Sequence, residues 1–93
     1  DDAFMRNVNA RAAQLREGLA SLPHVASVSG MGLMVGIAFA DDVKAADVRA
    51  ACERKGLLVL TAKTRLRLLP PLILSEADVA KALAILDDVL SSM

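Results

Sequence analysis

Arg67 stands alone among leucines in Leu66-Arg67-Leu68-Leu69-Pro70-Pro71-Leu72, and no residue of the chain is better suited to chemistry. A guanidinium stays ionised and presents a rigid fork of donors that fits a carboxylate in two parallel hydrogen bonds. The leucines around it read as a short apolar strand, Leu66 to Leu69. Pro70 and Pro71 have no N–H to give to a ladder, so the strand must stop there in a stiff turn. Lys63, Arg65 and Arg67 alternate, and would form a basic row if the strand extends back that far. The plainer reading is a surface arginine at a strand end.

Other candidates carry less. His24 has no Cys, His or acidic neighbours in the sequence, and is read as a loop residue rather than a base or ligand. Gly30-Met31-Gly32 has the glycine spacing of a phosphate loop. It lacks the strand-then-helix context of one and is read as a tight hairpin. Cys52 falls on an apolar helical face, where a thiol serves as small core filler rather than a nucleophile. No residue is read as catalytic, cofactor-holding or metal-ligating.

These residues need elements to position them. Phe4, Val8, Ala12, Leu15, Leu19 and Leu22 recur at steps of three and four, which predicts a helix over 3–22 ended by Pro23. Arg6, Arg11 and Arg16 are read as its solvated side. Val25 to Ser29 and Leu33 to Phe39 read as two strands joined at the glycines. In the second, Leu33, Val35, Ile37 and Phe39 share one face. Met34, Gly36 and Ala38 share the other, small enough to admit a second backbone closely. Asp41 and Asp42 are expected to cap a helix over 43–55, with Val48, Ala51 and Cys52 inward and Gly56 as its stop. Leu57 to Leu60 reads as a short buried strand. A last helix over 76–91 begins with Ser75 and Asp78 at capping-box spacing and a Leu74–Val79 staple. Val79, Leu83, Leu86 and Leu90 give its inward stripe. The order helix, strand, strand, helix, strand, strand, helix predicts an α+β layer: a mainly antiparallel four-stranded sheet with helices mostly on one face.

Composition bounds the partners. At 93 residues the chain makes one domain, near the small end of what buries its own core. A net charge of 0 asks for neither nucleic acid nor an anionic membrane. Residues are 55% hydrophobic but only 2% aromatic, an apolar excess that predicts a face covered by something else. The lone Cys52 excludes an internal disulfide and fits a reducing, cytoplasmic compartment. No apolar run has the length of a membrane span, and no charged-then-apolar leader pattern is read in these residues. The chain opens inside a helical pattern without an initiator Met, which reads as a fragment.

Taken together, Gly30-Met31-Gly32-Leu33-Met34-Val35-Gly36-Ile37, Lys55-Gly56-Leu57-Leu58-Val59, Thr61-Ala62 and Leu66-Arg67-Leu68-Leu69-Pro70-Pro71-Leu72 resemble the carboxyl-terminal small domain of class III, pyridoxal-phosphate-dependent aminotransferases. The resemblance runs from the first helix to Met93 and is nearest to the branch acting on N-acetylornithine. It implies that residues 1–93 form one C-terminal domain of the fold-type I transferases, with the large cofactor domain absent. It also implies an enzyme that exchanges an amino group between N-acetylornithine and 2-oxoglutarate in arginine biosynthesis. The ornithine, succinylornithine and 4-aminobutyrate branches are alternatives, as is a free-standing module that binds a small amino acid. In such an enzyme pyridoxal 5'-phosphate sits on a large-domain lysine, and the whole protein is a homodimer. The small domain closes over the site and contributes an arginine for the substrate carboxylate, a role that falls on Arg67. Lys44, Lys55, Lys63 and Lys81 do not resemble the cofactor-lysine motif, so the fragment alone is expected to be inactive.

Overall fold

In a computed structural model that describes residues 2–31, 34–62, 64–68 and 75–93, three helices cover one face of a four-stranded antiparallel sheet. The elements are α1 (Asp2–Ala20), β1 (Val25–Met31), β2 (Met34–Phe39), α2 (Ala45–Arg54), β3 (Val59–Ala62), β4 (Arg65–Leu68) and α3 (Glu76–Ser91). Strand order across the sheet is β1-β2-β4-β3, and every neighbouring pair is antiparallel. Both β2 and β3 oppose β4, so they run parallel to each other, with α2 carrying the chain across.

Alternation along the strands decides which face is covered. Val35 and Ile37 of β2, Leu66 and Leu68 of β4 and Val59 of β3 point inward. They meet Leu15 and Leu19 of α1, Val48 and Cys52 of α2, and Val79, Leu86 and Leu90 of α3 in one cluster. The inward stripes of α1 and α3 follow the predicted periodicity, with two differences. Phe4 is 51% exposed, because the apolar pattern of α1 continues past the point where the fold offers it a surface. Ala82 and Val89 join the α3 stripe. The two helices approach closely at Gly18, where a Cβ would lie 2.4 Å from Leu83 Cδ1.

Several boundaries move. Strand β1 runs through Gly30 and Met31 instead of turning there, since both still pair with β2. Gly32 and Leu33 lie outside the described residues. Asp41 and Asp42 do not cap α2: both have left-handed backbone, φ 58° and 63°, and α2 starts after Lys44 without a side-chain cap. Short polar side chains tolerate that conformation, so the pair forms the turn out of β2 rather than the helix start. Strands β3 and β4 each sit one or two residues from their expected positions, which puts Arg65 inside β4. Helix α3 begins as expected, with Ser75 Oγ accepting from the Asp78 N–H at 3.1 Å. Leu74, the other half of the staple, lies outside the described residues, as does the Pro70-Pro71-Leu72 corner.

Gly56 ends α2 in the way its position predicts. Its φ is 87°, its N–H bonds Glu53 O at 3.0 Å, and the Leu57 N–H reaches back to Cys52 O at 2.9 Å. Nothing lies within 4 Å of a Cβ built there, so steric contact is not the issue; backbone conformation is. Gly56→Ala is expected to destabilise the domain by about 1–2 kcal/mol, read as a lower denaturant midpoint with unchanged slope.

Cys52 is fully buried against the sheet, and burial pushes its thiol above the ordinary value of 9.0. A raised value in the folded state means that the unfolded chain ionises first. The stability contributed by the neutral thiol is therefore complete below about pH 9 and is lost as pH rises through the raised value. At pH 8 an aromatic disulfide reagent should label Cys52 slowly in the folded protein and rapidly in denaturant. Equal rates would place the thiol at the surface.

Candidate functional site

The uncovered face of the sheet is built by the same alternation that builds the core. Register puts Ser29, Gly36, Arg67 and Leu60 in one row across β1, β2, β4 and β3. Ser27, Ala38, Arg65 and Ala62 form the next row. Leu66 and Leu68 are buried while Arg65 and Arg67 are exposed, so both guanidinium side chains leave β4 on the open side.

Arg67 is not at the edge of the sheet. It lies on an inner strand, flanked in register by Gly36 and Leu60, in the middle of the open face. Among the described residues it has no hydrogen bond or ion pair. Gly36 beside it carries no side chain, which leaves room over β2 for another group. On its other side Leu60 of β3 and Leu58, just before that strand, are 48% and 63% exposed, making an apolar strip. An unpaired cation beside apolar surface is an arrangement that can bind a carboxylate once water is displaced, since Coulomb attraction grows as the local dielectric falls.

Of the alternating basic residues, Arg65 and Arg67 share this face, and Lys63 lies outside the described residues. Arg65 Nη1 donates to Ser29 Oγ at 2.9 Å, across β2. Sequence reasoning missed that contact, although Ser27 and Ser29 at a spacing of two marked a polar outer side for β1.

Two further arginines are structural rather than solvated, a correction to the reading of α1. Arg11 is half-buried, donates to Gln14 Oε1 at 3.0 Å and lies 3.3 Å from Glu76 Oε1 at the start of α3. Arg16 donates to Gly30 O at 3.2 Å and so ties α1 to β1. His24 also acquires an acidic neighbour that lies seventeen residues away in sequence. Its Nδ1 is 3.1 Å from Asp41 Oδ2, and its carbonyl accepts from the Ala40 N–H at 2.7 Å. With φ 64° at His24, the pair closes the open end of the β1–β2 hairpin. Among the described residues no group of three or more His, Cys, Asp or Glu could hold a metal, and no helix is long and apolar enough to cross a membrane.

Comparison with known proteins converges on one family. The sequence pattern of Aminotransferase class-III matches residues 1–90. Acetylornithine aminotransferase of Haemophilus ducreyi is 46% identical over 90 residues, which is 97% of this chain and 23% of that protein. The enzyme of the same name from Nostoc is 37% identical over 98 residues, again 97% of this chain and 23% of that protein. The crystal structure of N-acetylornithine aminotransferase from Stenotrophomonas maltophilia superposes with a TM-score of 0.89 at 27% identity, covering 99% of this chain and 27% of that one. The chain thus spans about a quarter of the length of the relatives it matches.

Proposed function

Since this chain belongs to the Aminotransferase class-III family, we propose that it is the carboxyl-terminal small domain, residues 1–93, of an acetylornithine aminotransferase with the fold-type I architecture. The complete enzyme moves an amino group between N-acetylornithine and 2-oxoglutarate in arginine biosynthesis, as a cytoplasmic homodimer. The observation that carries this reading is the likeness to acetylornithine aminotransferases over nearly the whole chain. Arg67, at the centre of the open sheet face and without an ion pair among the described residues, gives the reading its chemistry.

Class III aminotransferases depend on pyridoxal phosphate. The described residues of this chain do not fit that cofactor by themselves. Lys44, Lys55 and Lys81 are exposed on or beside helices, and Lys55 is paired with Asp88. A lysine that forms a Schiff base must be held where it can lose its proton, which open solvent does not favour. In this reading the cofactor, its lysine and the chemistry at the reacting carbon belong to the large domain, and the isolated chain is expected to be inactive.

Within that enzyme the open face packs against the large domain and is shielded from water. Arg67 receives the substrate carboxylate through its fork. The two parallel bonds fix both the position and the plane of the carboxylate, and so the direction of the adjoining carbon. The apolar strip of Leu58 and Leu60 supplies surface for the large domain to cover.

The test is an assay of the full-length protein with 2-oxoglutarate and a panel of donors: N-acetylornithine, ornithine, succinylornithine and 4-aminobutyrate. Glutamate should form fastest with N-acetylornithine. A clear preference for another donor would move the assignment to that branch of the family, and no glutamate from any donor would end it.

A further inference from the structure

The geometry points to the first two turns of α1 as a docking surface for the large domain of the same chain, with Phe4 and Met5 as the side chains that seat in it; the inference rests on the reading of residues 1–93 as the carboxyl-terminal domain. Residues 2–7 are helical yet all exposed, and Val8 is the first buried residue of α1. Phe4 and Met5 are 51% and 53% exposed. An α-helix turns about 100° per residue, which puts these two about 50° to either side of the line through Val8, Ala12, Leu15 and Leu19. Asp2 and Arg6 fall more than about 100° from that line. The exposed turns are thus amphipathic, and their apolar side continues the buried stripe.

The position of α3 shows why the stripe runs out. A Cβ at Gly18 would meet Leu83, and Arg11 Nη1 lies 3.3 Å from Glu76 Oε1, seven residues earlier along both helices. The two helices therefore run parallel and in step. Since α3 begins at Glu76, the turns of α1 ahead of Arg11 project beyond its start. They project beyond the sheet as well. Arg16 reaches Gly30 O near the Met31–Met34 end of the β1–β2 hairpin, while the far end of α1 leads into the start of β1. Val35 pairs with both Gly30 and Leu68, so the overhang lies at the end of the sheet where β4 carries Arg67 and Leu68.

The occupant follows from the length of the relatives. The chain spans 23% of the acetylornithine aminotransferases it matches, and in the reading above the rest of the protein joins ahead of α1. The polypeptide that arrives at the overhang then comes from the large domain, held at high local concentration by the covalent connection. Seating two apolar side chains on it carries little association entropy. Two helical turns packed on nothing would fray, since short helical runs are marginal in water. Seated in an apolar pocket, they make α1 a stiff strut from the large domain into the core of the small one. The same seat fixes where the Arg67 end of the sheet stands.

Backbone hydrogen exchange and photo-cross-linking of the full-length holoenzyme test this. Phe4→Ser combined with Met5→Ser should speed exchange of the Arg6, Asn7 and Val8 amides by at least about thirtyfold, as the seat is lost and the turns open. Ala10→Ser, at an exposed position on the other side of the helix, should leave those rates within about twofold. Phe4→p-benzoylphenylalanine, irradiated, should give an adduct with the mass of one chain, joined to a peptide outside residues 1–93. An adduct with the mass of two chains would give the surface to the partner subunit and overturn the proposal. So would an adduct confined to residues 1–93, no adduct at all, or unchanged exchange in the double variant. Failure of the unmodified protein to transaminate any donor is a separate outcome, which would end the aminotransferase reading and this inference with it.

Discussion

In the full-length protein, Arg67→Ala is expected to lower kcat/KM for both N-acetylornithine and 2-oxoglutarate by roughly one and a half to three and a half decades. The magnitude follows from removing one partner of a desolvated, charge-assisted pair, which costs about 2–5 kcal/mol, at about 1.4 kcal/mol per decade. In the proposed reading each substrate presents a carboxylate to this fork, so both should suffer. Arg67→Lys keeps the charge but replaces two parallel bonds by a single compact ammonium, so it should recover only part of the loss. Cofactor content should stay near that of the unmodified enzyme, since no residue of this chain is assigned to hold it. Steady-state kinetics with each substrate varied, together with the cofactor absorbance, would check all three statements. Near-normal kinetics in Arg67→Ala would reduce Arg67 to a solvated strand charge.

The second large effect lies one residue away and on the opposite side of the same strand. Leu66 is fully buried, pairs in register with Ile37 and Thr61, and fills the layer between sheet and helices. Leu66→Ala removes that filling from a site hemmed in by neighbouring strands, where collapse is restricted. A loss of about 2–5 kcal/mol is expected, a large share of the stability of a domain this small. Leu58→Ala, on the exposed strip, should change the stability of this domain by no more than about 0.5 kcal/mol. Denaturant unfolding of the two variants side by side separates the layers. Comparable losses would mean that the faces have been assigned the wrong way round.

That contrast between neighbouring residues also explains what was legible in advance. Stripes such as Val8-Ala12-Leu15-Leu19 and Val79-Leu86-Leu90 announce their helices because burial on one side forces a repeat near 3.6, and Val35-Ile37 announces its strand by a repeat of two. Local caps were legible where one side chain or one glycine decides them, as at Ser75 and Gly56. Asp41 and Asp42 were misread because the same residue types serve N-caps and left-handed turns, and only the path out of β2 selects the turn. Arg11 and Arg16 were misread for a different reason, and the acidic neighbour of His24, a loop residue as expected, was missed for the same one. Their partners Glu76, Gly30 and Asp41 are distant in sequence, and periodicity carries no information about which distant groups the fold brings together.

The open face shows the same division. The sequence singled out Arg67 as a candidate for a carboxylate, and the alternation of Arg65 and Arg67 put both on one side of the strand, which the structure shows to be the open one. Its central position in the sheet was not legible, because the order β1-β2-β4-β3 depends on how α2 carries the chain past β4. Nor was the Arg65–Ser29 contact, which needs β2 to lie between its two partners with Gly36 at the crossing.

A structure of the full-length enzyme with glutarate, an unreactive dicarboxylate, bound in place of 2-oxoglutarate bears most directly on the role given to this chain. One carboxylate should meet the Arg67 guanidinium through two parallel hydrogen bonds of about 2.7–2.9 Å, with the open sheet face closed over by the large domain. A ligand seated elsewhere in the enzyme, with Arg67 still solvated, would contradict it.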